Sequence, residues 1–296
     1  VVTARDTYRV TGGGYSPEGR IEKGGAVASG DPVLEKMALV SALCNDSEIH
    51  EKDGQWVLAG DPTEGALLPF AAKAGADRPA LRSRFPVADS IPFESEHKFM
   101  ATFHDSSAGG ASAGMLLVKG APDVLFPYCT HQELSSGEPA AFDRAFWEAR
   151  NEEIARGGNR VLALAWLPAF SKPEGGFNAS DLPRNLTLLG LAGIMDPPRP
   201  EAVDAIRECH GGSIRVTMIT GDHAATAVSI AKMLGIGDGK TCLTGRDLDT
   251  MDDDALEAKC RRVDVFARTS PEHKLRLVRA MQACGQVVSM TGDGVN

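Results

Sequence analysis

The sequence predicts two domains of different class: α+β over residues 1–192, and α/β on a parallel sheet over residues 193–296. Three observations carry this. The chain has 296 residues, room for about two domains at roughly 150 residues each. Up to about Gly190, short strand-like runs mix with loops rich in Gly, Pro and Ser, whereas beyond it strand and helix signals alternate. Two strand ends in the second part carry the same tripeptide, Thr220-Gly221-Asp222 and Thr291-Gly292-Asp293.

In the first part, Asp61 to Ala74 reads as a helix, with Leu67, Phe70, Ala71 and Ala74 on one face and Thr63 as its cap. Pro69 falls inside that pattern and must kink the helix or end an initial turn. Phe142 to Ala155 is a second helix; Val161 to Leu167 and Thr187 to Gly193 read as buried strands. Gly12 to Gly14, Ser106 to Gly114 and Lys172 to Asp181 read as turns or surface loops. In the second part, Arg215 to Thr220 is a short strand, and Ala227, Ile230, Ala231 and Leu234 mark the helix after it, closed by Gly235. Val263 to Ala267 is the next strand. Ser270-Pro271 then starts a helix through Leu277, Ala280, Met281 and Cys284, closed by Gly285. Gln286 to Met290 reads as a third strand. Ligands of such sheets sit beyond the carboxyl ends of the strands.

Composition removes several function classes. Hydrophobic residues at 43% and charged residues at 24% exclude disorder as the main state. A balance of 31 basic and 40 acidic residues, net −9, argues against a nucleic-acid-coating protein, which needs a basic stripe. No apolar run approaches the ~20 residues of a membrane span, and the first residues lack the pattern of a signal peptide. The chain as it stands is not an integral membrane protein; a soluble piece of one remains open. Six cysteines without a CxxC pair or a histidine cluster read as reduced cytosolic thiols.

Twin Thr-Gly-Asp turns at neighbouring strand ends would gather two carboxylates and two hydroxyls around one crevice. Carboxylates together with phosphate oxygens suit Mg²⁺, and each glycine lets the backbone approach a phosphate. Lys274, one turn into a helix, supplies a fixed ammonium for a phosphoryl group; standing alone it reads as a solvated surface lysine. Lys119 ends the apolar run Met115 to Val118, beside Gly120, and can reach a phosphate across open backbone. Phe93 can stack on a purine, although spacing alone favours a core phenylalanine. Two decoys fail. Gly237 to Thr241 has Leu234 where a P-loop needs glycine and follows a helix. Asp247-Leu-Asp249-Thr250 lacks the apolar strand that should precede a phosphotransferase nucleophile.

Together these motifs resemble the cytoplasmic catalytic portion of P-type cation-transporting ATPases, closest in pattern to the calcium-pump-like subgroup. The resemblance runs in order along nearly the whole chain. It covers Ala42-Leu-Cys-Asn-Asp46, Gly60-Asp-Pro-Thr-Glu-Gly-Ala-Leu67, Pro92-Phe93 with Lys98, Lys119-Gly-Ala-Pro122 and Gly158-Asn-Arg-Val-Leu-Ala163. It continues through Asp196-Pro-Pro-Arg199, Met218-Ile-Thr-Gly-Asp222, Phe266-Ala-Arg268, Pro271-Glu-His-Lys274 and Met290-Thr-Gly-Asp-Gly-Val-Asn296.

The resemblance implies a nucleotide-binding (N) domain, an antiparallel sheet with flanking helices, over 1–192. A partial phosphorylation (P) domain of haloacid-dehalogenase-like, Rossmann-type fold is implied over 193–296. In the first, Phe93 would stack on adenine, Glu64 and Lys98 would lie around the base, Lys119 with Gly120 deep in the pocket, and Arg160 toward the phosphates. In the second, Thr220, Gly221 and Asp222 would hold the γ-phosphate region, with Arg199 and Arg268 toward the nucleotide. Lys274 would steady an aspartyl phosphate, Asp293 would bind Mg²⁺ and Asn296 would hydrogen-bond the phosphoryl group. ATP and Mg²⁺ are the implied cofactors. The implied partners are the membrane helices, the actuator domain and the rest of the P domain at the cytoplasmic face of a membrane; no nucleic acid is implied.

The departures matter as well. The family's nucleophile is the aspartate of DKTGT, which this chain does not contain. Its expected place is just upstream of Val1, and the family pattern continues past Asn296. The expectation is therefore a fragment that binds nucleotide without phosphorylating itself. An arginine common two residues after the stacking phenylalanine is Ser95 here, with His97 and Phe99 following. The competing readings are a soluble haloacid-dehalogenase-type phosphatase with a large cap, or a nucleotide-sensing module.

Overall fold

The computed structural model describes residues 1–105, 114–134, 138–173, 176–195, 198, 200–222 and 224–292. It divides into two compact units: Val1–Glu152 with Val161–Ile194, and Glu153–Arg160 with Met195–Asn296.

The first unit is built on a seven-stranded sheet in the order Pro139–Ala141, Cys129–Glu133, Leu186–Ile194, Arg160–Phe170, Gly114–Gly120, Phe99–His104, Val87–Ile91. Its last three strands and Arg160–Phe170 pair antiparallel; Leu186–Ile194 and Cys129–Glu133 run parallel. Register sets Met100 opposite Lys119 and Thr102 opposite Leu117, with Leu164 opposite Lys119 on the other side. Directly opposed residues share a face, so Lys119 lies on the face that carries Met100, Leu117 and Leu164. That face forms a core with Val33, Met37, Val40 and Leu43 of helix Pro32–Leu43, and with Leu67 and Phe70.

Helix Pro32–Leu43 was not foreseen. Eight of its residues are buried, Ser41 among them, so it lacks the polar stripe that marks a surface helix. Asp31 caps it, accepting from Val33 N at 2.8 Å. The helix expected over Asp61 to Ala74 is two helices, Pro62–Gly65 and Leu67–Lys73. Asp61, not Thr63, caps the first, accepting from Thr63 N and Glu64 N. The restart at Leu67 places Pro69 in a first turn, where its missing N–H would have had no helical partner. Helix Arg144–Arg156 and strands Arg160–Phe170 and Leu186–Ile194 lie where expected. The expected loop Ser106 to Gly114 falls outside the described residues, save its last residue, Gly114, which opens a strand.

The second unit has a three-stranded parallel sheet, Met218–Ile219, Val265–Ala267, Leu243–Thr244, with Val265–Ala267 in the centre. Side chains of the central strand alternate. Val265 and Ala267 pack with Ala227 and Ala231 of helix Ala224–Leu234. Phe266 packs with Leu256 of helix Asp253–Cys260 and with Leu277, Ala280 and Met281 of helix Pro271–Ala283. Both faces are covered, as a parallel sheet requires. Ser270 caps its helix with Pro271 at the first position, and Gly285 follows with φ 79°.

The third strand is a correction. Leu243–Thr244, not Gln286 to Met290, completes the sheet. Among the described residues Gln286 to Met290 pairs with no strand, and Val287 and Met290 stand in solvent. Without a neighbour's ladder its backbone groups have no reason to adopt strand geometry. The first strand is also shorter than expected, Met218–Ile219 alone.

Candidate functional site

In the first unit, Lys119 of the sheet meets Glu64 of helix Pro62–Gly65, and the backbone of exposed Lys98 abuts Gly120. Lys119 is only 2% exposed. Its Nζ lies 3.2 Å from Glu64 Oε1, yet no hydrogen bond of good geometry reaches the ammonium among the described residues. A buried ammonium with one imperfect partner is costly for folding alone.

Glu64 is held by a chain of backbone contacts. Asp46 N donates to Glu64 Oε2 at 3.4 Å, and Asn45 Nδ2 donates to the Glu64 carbonyl at 2.9 Å. Arg78 fixes that turn, donating to the carbonyls of Ala42, Asn45 and Ser47 at 2.7–2.8 Å. Burial pulls the Arg78 guanidinium down to about 10. Cys44 is fully buried beside this group; burial pushes its thiol up to about 11, with the Lys119 charge opposing the rise.

Gly120 is opposite Phe99. A Cβ there would stand 2.6 Å from Phe99 Cβ and 2.8 Å from the Lys98 carbonyl oxygen, so the close approach requires glycine. That carbonyl accepts from Ala121 N at 3.0 Å. Lys98 itself has φ 54° and donates its N–H to the Glu94 carbonyl.

Phe93 stands on the loop between strands Val87–Ile91 and Phe99–His104, 51% exposed. The core reading that spacing favoured is corrected: Phe93 falls on the turn after the strand, beyond the reach of the pleat. The loop is braced from within by His97. Its Nε2 is 3.0 Å from the Pro92 carbonyl and its ring lies 4.5 Å from that of Phe99. Ser95 is exposed. Arg160 is exposed at the start of its strand and groups with the second unit.

In the second unit, Thr220, Gly221 and Asp222 follow strand Met218–Ile219, and Arg268 and Thr269 follow the adjacent parallel strand. Arg268 N donates to the Asp222 carbonyl at 3.0 Å, and Thr269 N and Oγ1 both donate to the Thr220 carbonyl. Two strand ends are thereby tied into one rim. Thr220 Oγ1 donates to Asp222 Oδ2 at 3.0 Å and accepts from Asp222 N at 3.0 Å, fixing the turn. Gly221 has open space where a Cβ would be. Lys274 is half-buried in the first turn of helix Pro271–Ala283, which starts beside Thr269.

The second Thr-Gly-Asp is described only in part. Thr291 and Gly292 follow no strand among the described residues. Arg199, Asp293 and Asn296 lie outside the described residues, as do Asp196 and Pro197. Among the described residues no group of three His, Cys, Asp or Glu could hold a metal ion. Both decoys serve local structure. Asp247 accepts from Thr244 N and Oγ1 at 2.7 Å as part of a capping box. Asp238 accepts from Thr241 Oγ1, Thr241 N and Lys240 N, which hold its carboxyl down to about 2.

Residue reasoning gave no role to Asn45, Arg78 or His97. Asn45 sat in a quoted motif, but the contacts of Arg78 and His97 are tertiary and leave no local sequence signal.

Comparison with known proteins decides the family. The family described as P-type ATPase, cytoplasmic domain N, matches residues 33–201. The chain belongs to the P-type ATPase family. The matched span of this P-type ATPase chain holds Glu64, Phe93, Lys98, Lys119, Gly120 and Arg160. The chain is 43% identical over 299 residues to the cation-transporting ATPase pma1 of Synechocystis sp., covering 98% of this chain and 32% of that protein. It is 40% identical over 298 residues to a calcium-transporting ATPase of Bacillus subtilis, covering 98% and 33%. The endoplasmic reticulum calcium ATPase srcA of Aspergillus fumigatus is 34% identical over 325 residues, covering 97% and 33%. This P-type ATPase chain thus spans about a third of the length of the curated relatives it matches. Among its described residues no helix is long and apolar enough to cross a membrane.

Proposed function

We propose that the first unit is the ATP-binding N domain of a cation-transporting pump and that the second is part of its haloacid-dehalogenase-like P domain. The observation that carries this is Lys119: a 2%-exposed ammonium held against Glu64 without a well-formed hydrogen bond, beside the loop that exposes Phe93. Such a group is poorly used by the fold and well used by an anionic, aromatic ligand. Phe93 stacks on adenine, Glu64 and Lys98 bound the base, and Lys119 and Gly120 line the depth of the pocket. Arg160 and Arg199 reach toward the phosphates.

In the second unit, Thr220, Gly221 and Asp222 receive the γ-phosphate region, with Arg268 at the same rim. The open space over Gly221 permits a phosphate oxygen to approach the backbone. Lys274 neutralises charge on the transferred group. Asp293 would hold Mg²⁺, which would neutralise phosphate charge, and Asn296 would hydrogen-bond the phosphoryl group. In the whole pump an aspartate in DKTGT accepts the phosphoryl group and cation movement follows, at the cytoplasmic face of a membrane and with the pump's other domains. This chain contains no DKTGT, so by itself it binds nucleotide and forms no aspartyl phosphate. Calcium, named for the Bacillus and Aspergillus relatives, is the first candidate for the transported cation, with manganese, sodium or another cation as the alternatives.

Calorimetric titration of ATP into the chain and into Phe93→Ala tests the site. Loss of a stacking contact worth roughly 1–3 kcal/mol should weaken binding about 5- to 150-fold. Equal affinities would remove Phe93 from the site.

A further inference from the structure

Two thiols of the second unit converge outside the site described above. Cys260 ends helix Asp253–Cys260, is 1% exposed, and packs with Leu277, Ala280 and Met281 of helix Pro271–Ala283. Cys284 is the C-terminal cap of that second helix and is partly exposed. Its Sγ lies 3.5 Å from the Glu257 carbonyl oxygen, one helical turn before Cys260. Burial pushes the Cys260 thiol up to about 11, and the nearby Cys284 sulfur adds to the rise. Cys242 packs on the opposite face of the sheet, and Cys44 and Cys129 belong to the first unit. All six cysteines are free thiols.

We propose that Cys260 and Cys284 are a dithiol couple that a low-molecular-weight disulfide, such as oxidised glutathione, converts into an intramolecular disulfide. Exposure sets the order of events. The Cys284 thiolate attacks one sulfur of the oxidant; that S–S bond breaks and the first small thiolate leaves. Cys260 then loses its proton and attacks the Cys284 sulfur, displacing the second small thiolate. The two protein thiols give up two electrons and two protons, and the oxidant becomes two thiols. The second step is the slower one, because the Cys260 thiol is buried and its ionisation is disfavoured. The closed loop contains strand Val265–Ala267, Arg268 and the helix bearing Lys274. Oxidation therefore tethers the segment that forms one side of the phosphate-handling rim. The couple itself does not depend on the nucleotide reading.

The test incubates the full chain with oxidised glutathione, blocks remaining thiols by alkylation and maps peptides by mass spectrometry after cleavage at acidic residues. The expected result is a linked peptide pair joining Cys260 to Cys284, restored to two alkylatable thiols by dithiothreitol. Cys260→Ala should instead stop at a persistent glutathione adduct on Cys284, and Cys284→Ser should leave Cys260 unmodified. A persistent adduct on Cys284 of the unaltered chain, a link from Cys284 to another cysteine, or no modification of either thiol would overturn the proposal. The measurement on the unaltered chain stands whether or not the variants fold.

Discussion

Removing the Lys119–Glu64 pair separates folding from binding. At 3.2 Å the gross attraction is about 5 kcal/mol at an effective dielectric of about 20. Desolvation opposes it by several kcal/mol per ion, so replacing such a pair is often neutral or stabilising. The pair is also imperfect: Lys119 Nζ lacks a well-formed hydrogen bond, and the side chains are 3% and 12% exposed. The double variant Glu64→Gln/Lys119→Met should therefore hold its urea-unfolding free energy within about 1 kcal/mol of the unaltered chain. ATP binding should respond differently. A charge-assisted contact is worth about 1.5–3 kcal/mol, so calorimetry should show roughly ten- to hundredfold weaker binding. Lys119→Met alone leaves the Glu64 carboxylate facing an apolar chain and should be the less stable variant. A double variant destabilised by more than about 3 kcal/mol, with ATP affinity unchanged, would make the pair a folding element and refute the reasoning.

Gly120→Ala should destabilise the first unit by about 1–3 kcal/mol, because the new Cβ meets the Lys98 carbonyl and Phe99 at under 3 Å; an unchanged urea midpoint would contradict this. His104 is buried, its Nδ1 2.9 Å from the Phe85 carbonyl and its Nε2 2.8 Å from Thr102 Oγ1, and burial holds its pKa below the usual 6.5. A base with a depressed folded-state pKa binds its proton more readily when unfolded. Its contribution to stability is thus intact above about pH 6.5 and is lost as pH falls toward the folded-state value. Urea midpoints between about pH 7 and about pH 5.5 should fall less steeply for His104→Gln; identical slopes would place the titration elsewhere.

The sequence was most legible where a local rule acts alone. Ser270-Pro271 announces a helix start because the cap and the proline are adjacent in the chain, and the helix begins there. The apolar run ending in Lys119 announces a strand, and a strand lies there. Helix Pro32–Leu43 escaped because most of its residues are apolar, part-exposed Leu39 included, which blurs its period; of the two outcomes Pro69 left open, the structure has the short initial helix that ends before Leu67. Gln286 to Met290 has the composition of a strand, but strand geometry needs a neighbour that composition does not supply. Within the site, Lys119 and Glu64 were legible as motif residues. Arg78 and His97 were not, since each acts through contacts made only after folding.

Photolabelling with 8-azido-ATP followed by peptide mapping tests the central claim most directly. The account predicts label on the segment from Pro92 to Lys98 or from Lys119 to Ala121, suppressed by excess ATP and lost in Phe93→Ala. Label confined to the second unit, or label that excess ATP does not suppress, would contradict it.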